Sequence, residues 1–435
     1  MTKIAVFILT VFFAAVALFS IYNYDTTMIH VPFSGIYSVP KIGLILFSVI
    51  SGVFLMLTLV ALRDTKRFMD NYRHVKRQKK EEWIEGLYSK AINQILANNR
   101  EEAKEILETI LGEAPEHLDA LLRMGDTYSF SGQHAKAAEY YKRALGASGG
   151  KNMEALLLLE QEMEAQSMWD SALNYAEDIL EQDPDNLSAL ESKRSILEKI
   201  ERWPDLVEVQ KSILKLEHLP DRRAEEARLS GYRYEYARQM LEANDLERSG
   251  KVFRQVLRYE KDFIPSYLGA AEVLLGQGED EQAVEFLERG YAHTGSVILL
   301  ARLEDLLINK GEPERIIKLY QNALNGNPSD PVLKFLMGKL YYRLEMIDDA
   351  LDSLKGFESA ENFPSVCSLL GELYMRRERY EKAARAFKKA VDMQPSKLFY
   401  CCSSCGHLAA EWGGRCSGCG KWNSYRFDIY GRSKL

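Results

Sequence analysis

Five of the chain's six cysteines lie between residues 401 and 425, in the stretch CCSSCGHLAAEWGGRCSGCGKWNSY. Four of them form two Cys-x-x-Cys-Gly motifs, here called the first knuckle (residues 402–406) and the second knuckle (residues 416–420). The two residues between the cysteines let both thiolates face one ion, and the glycine permits the positive φ that ends such a turn. Four thiolates suit Zn(II) or a single iron. The pattern therefore predicts one Zn or Fe ion, with the ligands Cys402, Cys405, Cys416 and Cys419.

The predicted metal centre is structural, because all four ligands are protein thiolates and no position is open for a substrate. Two other interpretations of the spacing are four unliganded thiols in a reducing compartment and a redox-active Cys-x-x-Cys pair. The glycine after both pairs favours the metal. Cys401 lies one residue outside the pattern and is predicted to take no part, whereas Cys367 is predicted to be a core residue of a helix.

The knuckles belong to a C-terminal module, residues 397–435, which is too short to build much of a hydrophobic core. We therefore expect the metal to supply most of the free energy of folding of this module. Trp412 and Trp422 are predicted to cover the knuckles, and one of them to pack against the last repeat of the preceding domain.

That preceding domain, residues 84–396, contains a repeat of about 34 residues. A small or apolar marker residue recurs at intervals of 34, 35, 34, 43, 34, 33, 34 and 33 residues. The markers are Ala103, Ala137, Ala172, Leu206, Ser249, Ala283, Ile316, Ala350 and Ala383. Glycines twelve residues before three markers, such as Gly338 and Gly371, are predicted to let the two helices of a unit approach closely. The pattern is typical of about nine tetratricopeptide repeats, each a pair of antiparallel helices.

The one long interval predicts an insertion near residues 216–226. Arrays of this kind offer a groove, lined by the first helix of each unit, that holds another protein. The register places Lys339, Tyr342 and Glu372 on that face, and we predict them to be partner-binding residues. The alternative for all three is ordinary exposed surface.

The N-terminal residues 1–62 contain two apolar runs without a charged residue, at 4–22 and 42–62. Each has about the 20 residues needed to cross a bilayer as a helix, which predicts a transmembrane hairpin with a short loop between the spans. A basic juxtamembrane segment, residues 63–83, follows and is predicted to stay in the cytoplasm, as are both termini and the repeats. A cleaved signal peptide is the alternative for the first run, and the basic segment could also contact anionic lipid.

Composition and motifs argue against two functional classes. A formal net charge of -7 and a pI near 5.7 disfavour nucleic acid as a partner. The glycine-rich string at residues 146–151 misses the spacing of a phosphate-binding loop. It does spell G-x-S-x-G around Ser148, but a nucleophile elbow needs a preceding strand, and here a repeat helix is predicted. We therefore predict no catalytic residue and no enzyme activity.

The order of these modules resembles that of a known family, lipopolysaccharide assembly protein B. An anchor, a basic juxtamembrane segment, about nine tetratricopeptide units and a rubredoxin-like module follow one another. The resemblance covers roughly residues 63–435, and the four cysteines match the family's metal ligands. The N-terminal hairpin is similar instead to lipopolysaccharide assembly protein A, so the chain looks like a fusion of the two. The resulting fold prediction is all-α: two transmembrane helices, a tetratricopeptide-repeat superhelix and a small rubredoxin-like four-cysteine module.

The resemblance implies a regulatory adaptor at the cytoplasmic face of the bacterial inner membrane. Such proteins help the membrane-anchored protease FtsH to degrade LpxC, the deacetylase that commits precursor to lipid A, and so balance lipopolysaccharide with phospholipid. The resemblance also implies contacts with lipopolysaccharide synthesis and export proteins, and a metal module that packs against the repeats.

Two other functional interpretations remain from the sequence. The repeats and the anchor would suit a generic scaffold for cell-envelope assembly or secretion that is unrelated to lipopolysaccharide. The segment WGGRCSGCGKWN is also similar to the zinc module of the DNA-repair ATPase RadA, in which a Walker motif follows the module. Here only the twelve residues 424–435 follow that segment, which disfavours an ATPase.

Overall fold

The computed structural model describes residues 2–23, 25–33, 35–357, 363–392 and 399–428. The chain divides into two compact units. The first comprises residues 1–132 with 146–148, and the second comprises residues 133–145 with 149–435.

The first unit begins with a helix and a β-hairpin. Helix α1 spans Thr2–Tyr22, and the strands β1 (Thr26–Val31) and β2 (Gly35–Pro40) pair antiparallel along their whole length. The β-branched residues of TTMIHV favour an extended backbone. The predicted short loop between the two apolar runs is therefore a hairpin rather than irregular chain.

Helix α2 is one helix of 56 residues, Lys41–Leu96. Its first part, Lys41–Arg63, has a mean hydropathy of 2.6, is unburied, and is the one segment of the described chain that is long and apolar enough to cross a membrane. The helix continues unbroken through the basic segment 63–83, which lacks Gly and Pro and is rich in Lys, Arg and Glu. The apolar segment and the first repeat are thus joined by a continuous helix rather than by a linker.

The first apolar run is described less completely. Helix α1 contains an apolar stretch, Thr10–Tyr22, that is shorter than a membrane span. The predicted span over residues 4–22 includes side chains that lie outside the described part of the structure. One apolar helix near the N-terminus is therefore found, and the two-span hairpin stays a prediction.

Two repeat helices complete the first of the two compact units. They are α3 (Arg100–Glu113) and α4 (Leu118–Phe130). Ala103 and Leu107 of α3 are fully buried, and the Lys80 ammonium of α2 lies 2.9 Å from the Glu113 carboxylate. The end of α2 and α3 therefore form the first helix pair of the repeat.

The second compact unit contains the other helices, which form successive pairs from α6 to α19. They are α5 (His134–Ala147), α6 (Met153–Ala165), α7 (Trp169–Gln182), α8 (Leu187–Lys199), α9 (Trp203–Lys215), α10 (Arg222–Glu242), α11 (Leu246–Tyr259), α12 (Ile264–Gly276), α13 (Asp280–Thr294), α14 (Val297–Asn309), α15 (Pro313–Gly326), α16 (Pro331–Arg343), α17 (Ile347–Ser353), α18 (Pro364–Arg376) and α19 (Tyr380–Asp392).

The marker residues explain why the helices pair closely. From Ala172 to Ala383 each lies in the second helix of a pair, and none exposes more than 1% of its surface. A Cβ atom at Gly338 would lie 2.9 Å from Cγ of Leu354, and one at Gly371 would lie 2.6 Å from Cδ1 of Phe387. The predicted close approach at these two glycines is confirmed, because no larger residue fits without displacing its neighbour.

The long interval in the repeat is a longer helix. Helix α10 has 21 residues, whereas the equivalent first helices α8 and α12 have 13 each. The additional residues extend α10 at its N-terminal end, where Glu225 accepts hydrogen bonds from Arg194 at 2.7 Å and from Gln210 at 2.6 Å. The predicted insertion is therefore mostly helical and is tied to the preceding pair.

The C-terminal module contains a small antiparallel sheet. Strands β3 (Phe399–Cys402), β4 (Leu408–Ala409) and β5 (Tyr425–Asp428) lie in the order β4-β3-β5. Apart from this sheet and the N-terminal hairpin, the elements of the described chain are helical, so the predicted all-α repeat fold is confirmed.

Candidate metal centre

The structure brings the four predicted ligands together. The sulfurs of Cys402, Cys405, Cys416 and Cys419 all lie within 4.8 Å of one another, and none forms a disulfide. The Sγ atoms of Cys402 and Cys419 are 3.7 Å apart, as are those of Cys405 and Cys416. A zinc–sulfur distance of about 2.3 Å places tetrahedral sulfurs about 3.8 Å apart, so the cluster has the size of a four-thiolate shell.

Both knuckles have the expected turn. Gly406 and Gly420 have φ of 73° and 70°, a conformation that a glycine adopts without strain. Their amides donate to the carbonyls of Cys402 and Cys416 at 2.9 and 2.8 Å, respectively, and close the two turns. The predicted positive φ after each cysteine pair is confirmed.

Local hydrogen bonds favour negative charge on two of the sulfurs. Burial raises the pKa of Cys402, but hydrogen bonds with Ser424 and with the amides of Cys405 and Ser404 outweigh it and lower that pKa to about 6. Burial also opposes the thiolate of Cys416, whose pKa is nevertheless lowered by backbone amides of its own knuckle and by Tyr425. A hydrogen bond with the His407 backbone favours the Cys405 thiolate, but burial and hydrogen bonds with the other three sulfurs outweigh it and raise the pKa of Cys405 to about 12. The fit to Zn(II) or iron therefore rests on four sulfurs at ligand spacing, which bind a metal as thiolates.

Aromatic side chains of the module surround the sulfurs. Trp412 packs against Cys402, Cys416 and Tyr425, as predicted for a residue that covers the knuckles. The Tyr425 hydroxyl lies 3.1 Å from Nδ1 of His407 and accepts from an amide of the second knuckle at 3.4 Å. The module therefore builds a small aromatic core directly beneath the cysteines.

Trp422 packs against the repeats, but not against the last one. Its ring lies against the backbone of Gly231 in α10, where an added Cβ would come within 2.3 Å of it, and is edge-on to Tyr232 at 5.3 Å. Its Nε1–H donates to Glu235 at 2.8 Å. The predicted docking on the last repeat is wrong: the module docks in the middle of the array, on the extended helix, where glycine leaves room for an indole.

Arg415 and Asn423 make further contacts with first helices of the repeats. The Arg415 guanidinium pairs with Glu198 of α8, which also accepts from the Tyr232 hydroxyl at 3.0 Å. The Asn423 amide donates to the Asp262 carbonyl at 2.8 Å, just before α12. Strand β5 also contacts α14, so the module contacts four consecutive first helices, α8, α10, α12 and α14.

The other two cysteines lie away from the cluster. Cys401 is adjacent to Cys402 in β3, where successive side chains point to opposite faces, and its sulfur is outside the group of four. Cys367 is buried in α18, and burial raises the pKa of its thiol. Their positions agree with a cysteine that takes no part and a core cysteine.

The predicted partner-binding residues lie on neighbouring first helices. Lys339 and Tyr342 are half-buried on α16, and Glu372 is exposed on α18. A hydrogen bond with Glu372 raises the pKa of Tyr342, so these two side chains contact each other. Their role in binding stays a prediction. Ser148, the centre of the G-x-S-x-G string, directly follows helix α5 rather than a strand.

Sequence reasoning did not find the repeat residues that hold the module. Glu235 and Glu198 lie 187 and 217 positions away from their partners Trp422 and Arg415. The available signal was on the module's side: an arginine and a tryptophan that flank the second knuckle. Nothing in the local sequence of α8 or α10 distinguishes these carboxylates from the many others on the helices.

The repeated helix pairs and the cysteine cluster define the class: a helical array like that of tetratricopeptide repeats, with a C-terminal four-cysteine module. Residues 94–157 and 364–397 each match the tetratricopeptide repeat family. Over 359 residues the chain is 19% identical to lipopolysaccharide assembly protein B of Escherichia coli (strain K12), in a match that covers 78% of this chain and 88% of that protein. The predicted resemblance to that family is confirmed.

The chain is also similar to other tetratricopeptide repeat proteins. The chain is 28% identical over 160 residues to tetratricopeptide repeat protein 21B of Homo sapiens, which covers 36% of this chain and 12% of that protein. A solved tetratricopeptide repeat protein from Parabacteroides merdae ATCC 43184 aligns with 59% of this chain and 98% of its own, at 19% identity and a TM-score of 0.31.

Proposed function

We propose that this protein is a membrane-anchored adaptor that regulates lipopolysaccharide synthesis by promoting degradation of the LpxC deacetylase by the FtsH protease. The observation that carries the proposal is the similarity to lipopolysaccharide assembly protein B, which extends through most of both chains rather than through the repeats alone. The four-cysteine cluster at the C-terminal end supports it, because that module is what distinguishes the family from generic repeat proteins.

The repeat array supplies the adaptor's binding surface in this proposal. First helices of consecutive units form a row, on which Lys339, Tyr342 and Glu372 offer a cation, a phenol and a carboxylate to a polypeptide. Repeat arrays hold partners in this way and use no enclosed active site. The protein therefore acts without catalysis of its own, and its partners are FtsH, LpxC and lipopolysaccharide synthesis and export proteins.

The location proposed for the adaptor is the bacterial inner membrane. The apolar segment Lys41–Arg63 serves as an anchor, and the basic segment 63–83 that follows it in α2 favours a cytoplasmic position for the repeats. Because α2 continues into the first helix pair, the repeats begin close to the membrane surface, within reach of a membrane-bound protease.

The metal centre has a structural role in this proposal. Cys402, Cys405, Cys416 and Cys419 hold one Zn or Fe ion, which clamps the module in the form that docks on α8, α10 and α12. A module with such a small apolar core depends on the ion for its fold. Purified protein should therefore contain about one metal ion per chain.

The function is tested by the turnover of LpxC in the native bacterium. Depletion of the protein should lengthen the half-life of LpxC and raise its level, and removal of FtsH activity should abolish the difference between depleted and normal cells. Normal LpxC turnover after depletion would contradict the adaptor role and favour a scaffold unrelated to lipopolysaccharide.

The binding surface is tested in the same cells. The triple variant Lys339→Ala, Tyr342→Ala and Glu372→Ala should recover at least about tenfold less LpxC or FtsH after crosslinking, a loss of about 1.4 kcal/mol of binding. A matched control is Tyr380→Ala, Glu381→Ala and Lys388→Ala, which removes the same residue types from exposed positions of α19. Equal recovery of partners by both triple variants would place the binding surface elsewhere.

A further inference from the structure

We propose that Glu198 and Glu235, carboxylates on repeat helices, are positioning residues for the metal centre. They hold Arg415 and Trp422, and through them the second knuckle, so that the repeats control how firmly the metal is retained. The inference rests on the proposed metal site but not on the proposed partners.

Arg415 links a repeat helix to the turn of the second knuckle. Its Nε–H donates to the carbonyl of Gly420 at 2.9 Å, and its guanidinium also pairs with Glu198 and lies 4.6 Å from the centre of the Trp422 ring. Gly420 in turn closes the knuckle by donating to Cys416. A carboxylate on α8 is therefore two hydrogen bonds away from the backbone that aims Cys416 and Cys419.

Trp422 makes the second link. The Arg415 and Trp422 backbones pair in an isolated β-bridge across the second knuckle, and the Cys416 amide donates to the Lys421 carbonyl at 2.8 Å. Glu235 fixes the indole through Nε1–H, and the Gly231 backbone fixes its face. Both ends of the chain that carries the second knuckle are thus attached to repeat residues.

The hydrogen bonds made by Glu198 and Glu235 are partly buried and therefore stronger than ion pairs on the exposed surface. The side chains of Glu198 and Arg415 expose 27% and 32% of their surface, and Glu235 is 8% exposed. A partly desolvated, charge-assisted hydrogen bond is stronger than an exposed pair, and loss of one partner leaves the other unsatisfied. Outer contacts that orient metal ligands typically change metal affinity by 10- to 100-fold.

A cavity gives this link access to solvent. Glu198, Tyr232, Arg415, Cys419 and Trp422 line a cavity of about 470 Å³ between the second knuckle and the helices α8 and α10. Any change at these helices that moves Glu198 acts on the knuckle directly. Because such coupling is reciprocal, loading the metal also stabilises this part of the repeats.

The proposal is tested by the rate at which the zinc-loaded full chain, in detergent, releases zinc to a colorimetric chelator. Glu198→Gln and Glu235→Gln should each release zinc about tenfold faster than the unmodified protein. Glu208→Gln, an exposed carboxylate on α9, is the matched control and should not change the rate. Release at the unmodified rate from both Glu198→Gln and Glu235→Gln would overturn the proposal, as would equal acceleration by the control.

Two further measurements separate positioning from general destabilisation. Arg415→Gln combined with Glu198→Gln should release zinc no faster than the more severe single variant, because both changes break one link; additive effects would overturn the route through Arg415. With Co(II) in place of zinc, Glu198→Gln should also shift the thiolate-to-metal absorption of the folded protein. An unshifted spectrum would contradict a role in orienting the ligands.

Discussion

Both knuckles are held from within the module, and the second is held in addition from outside by the repeats. Around the first knuckle, the Cys402 amide donates to His407 at 2.9 Å and the Ser403 amide donates to Ser424 at 2.8 Å. Around the second, Arg415 and Trp422 reach Glu198 and Glu235. The described contacts of the first knuckle thus lie within a module of about 30 residues, and the second knuckle adds contacts with helices that lie about 200 positions earlier in the chain.

This difference suggests why a metal module sits on a repeat array. A small module alone gains little from apolar burial, and its ion closes only its own short chain. In the proposed arrangement, attachment of the second knuckle to α8 and α10 lets a bound ion stabilise the middle of the array as well. The irregular 21-residue helix α10, with Gly231 opposite Trp422, provides the place for that attachment.

The largest expected effect is the loss of either knuckle. Cys402→Ser and Cys419→Ser should each abolish metal binding, because three thiolates and a hydroxyl no longer form the shell. The module should then become sensitive to protease, with cleavage between residues 399 and 428, while the repeats stay folded. Elemental analysis and limited proteolysis measure the two effects; a variant that keeps both the metal and protease resistance would contradict the site. Cys401→Ser is the matched control.

A smaller effect is expected from the contact that only the second knuckle has. Trp422→Ala should weaken the docking of the module on α10 by about 3 kcal/mol, since it removes an indole packed on Gly231 and Tyr232 together with its hydrogen bond. The first knuckle should keep its internal contacts, so metal should remain bound but be released faster. Thermal unfolding monitored through the module checks the change. If Trp422→Ala unfolds no earlier than the unmodified protein, the repeats do not support the module.

The smallest effect is expected inside the module. Tyr425→Phe keeps the ring but removes the hydroxyl that contacts His407 and Ser417, and should destabilise the module by about 1 kcal/mol. Docking on the repeats should be unaffected, because Tyr425 makes these contacts within the module. Thermal unfolding shows the loss, and crosslinking between the module and α10 serves as the control. A loss of docking equal to that of Trp422→Ala would contradict the separation of the two sets of contacts.

The sequence predicts the parts of this picture that are local. The two knuckles are set by cysteines and glycines within 19 residues, and the helix pairs by a marker that recurs in the next unit, so spacing alone is sufficient. The continuous helix α2 was not predicted, because an apolar run and a basic run look like separate elements in the sequence. From residue 63 to residue 85, however, the chain contains no Gly or Pro that would break the helix.

The docking of the module could not be predicted in the same way. One of Trp412 and Trp422 was expected to pack against the last repeat, which is nearest in sequence, whereas Trp422 packs against α10. The position of the module is decided by contacts between residues that are far apart in the chain: the Trp422 indole with Gly231 and Glu235, and Arg415 with Glu198. Such contacts depend on which helices face the module, and a repeat pattern makes all the first helices look alike.

The most direct test of the link between metal and repeats is amide hydrogen exchange in the full chain, with and without the metal. Stripping the metal should accelerate exchange in residues 399–428 and also in α8 and α10, while α18 and α19 exchange at an unchanged rate. If α8 and α10 are as protected without the metal as with it, the repeats and the metal centre are independent and the account is contradicted.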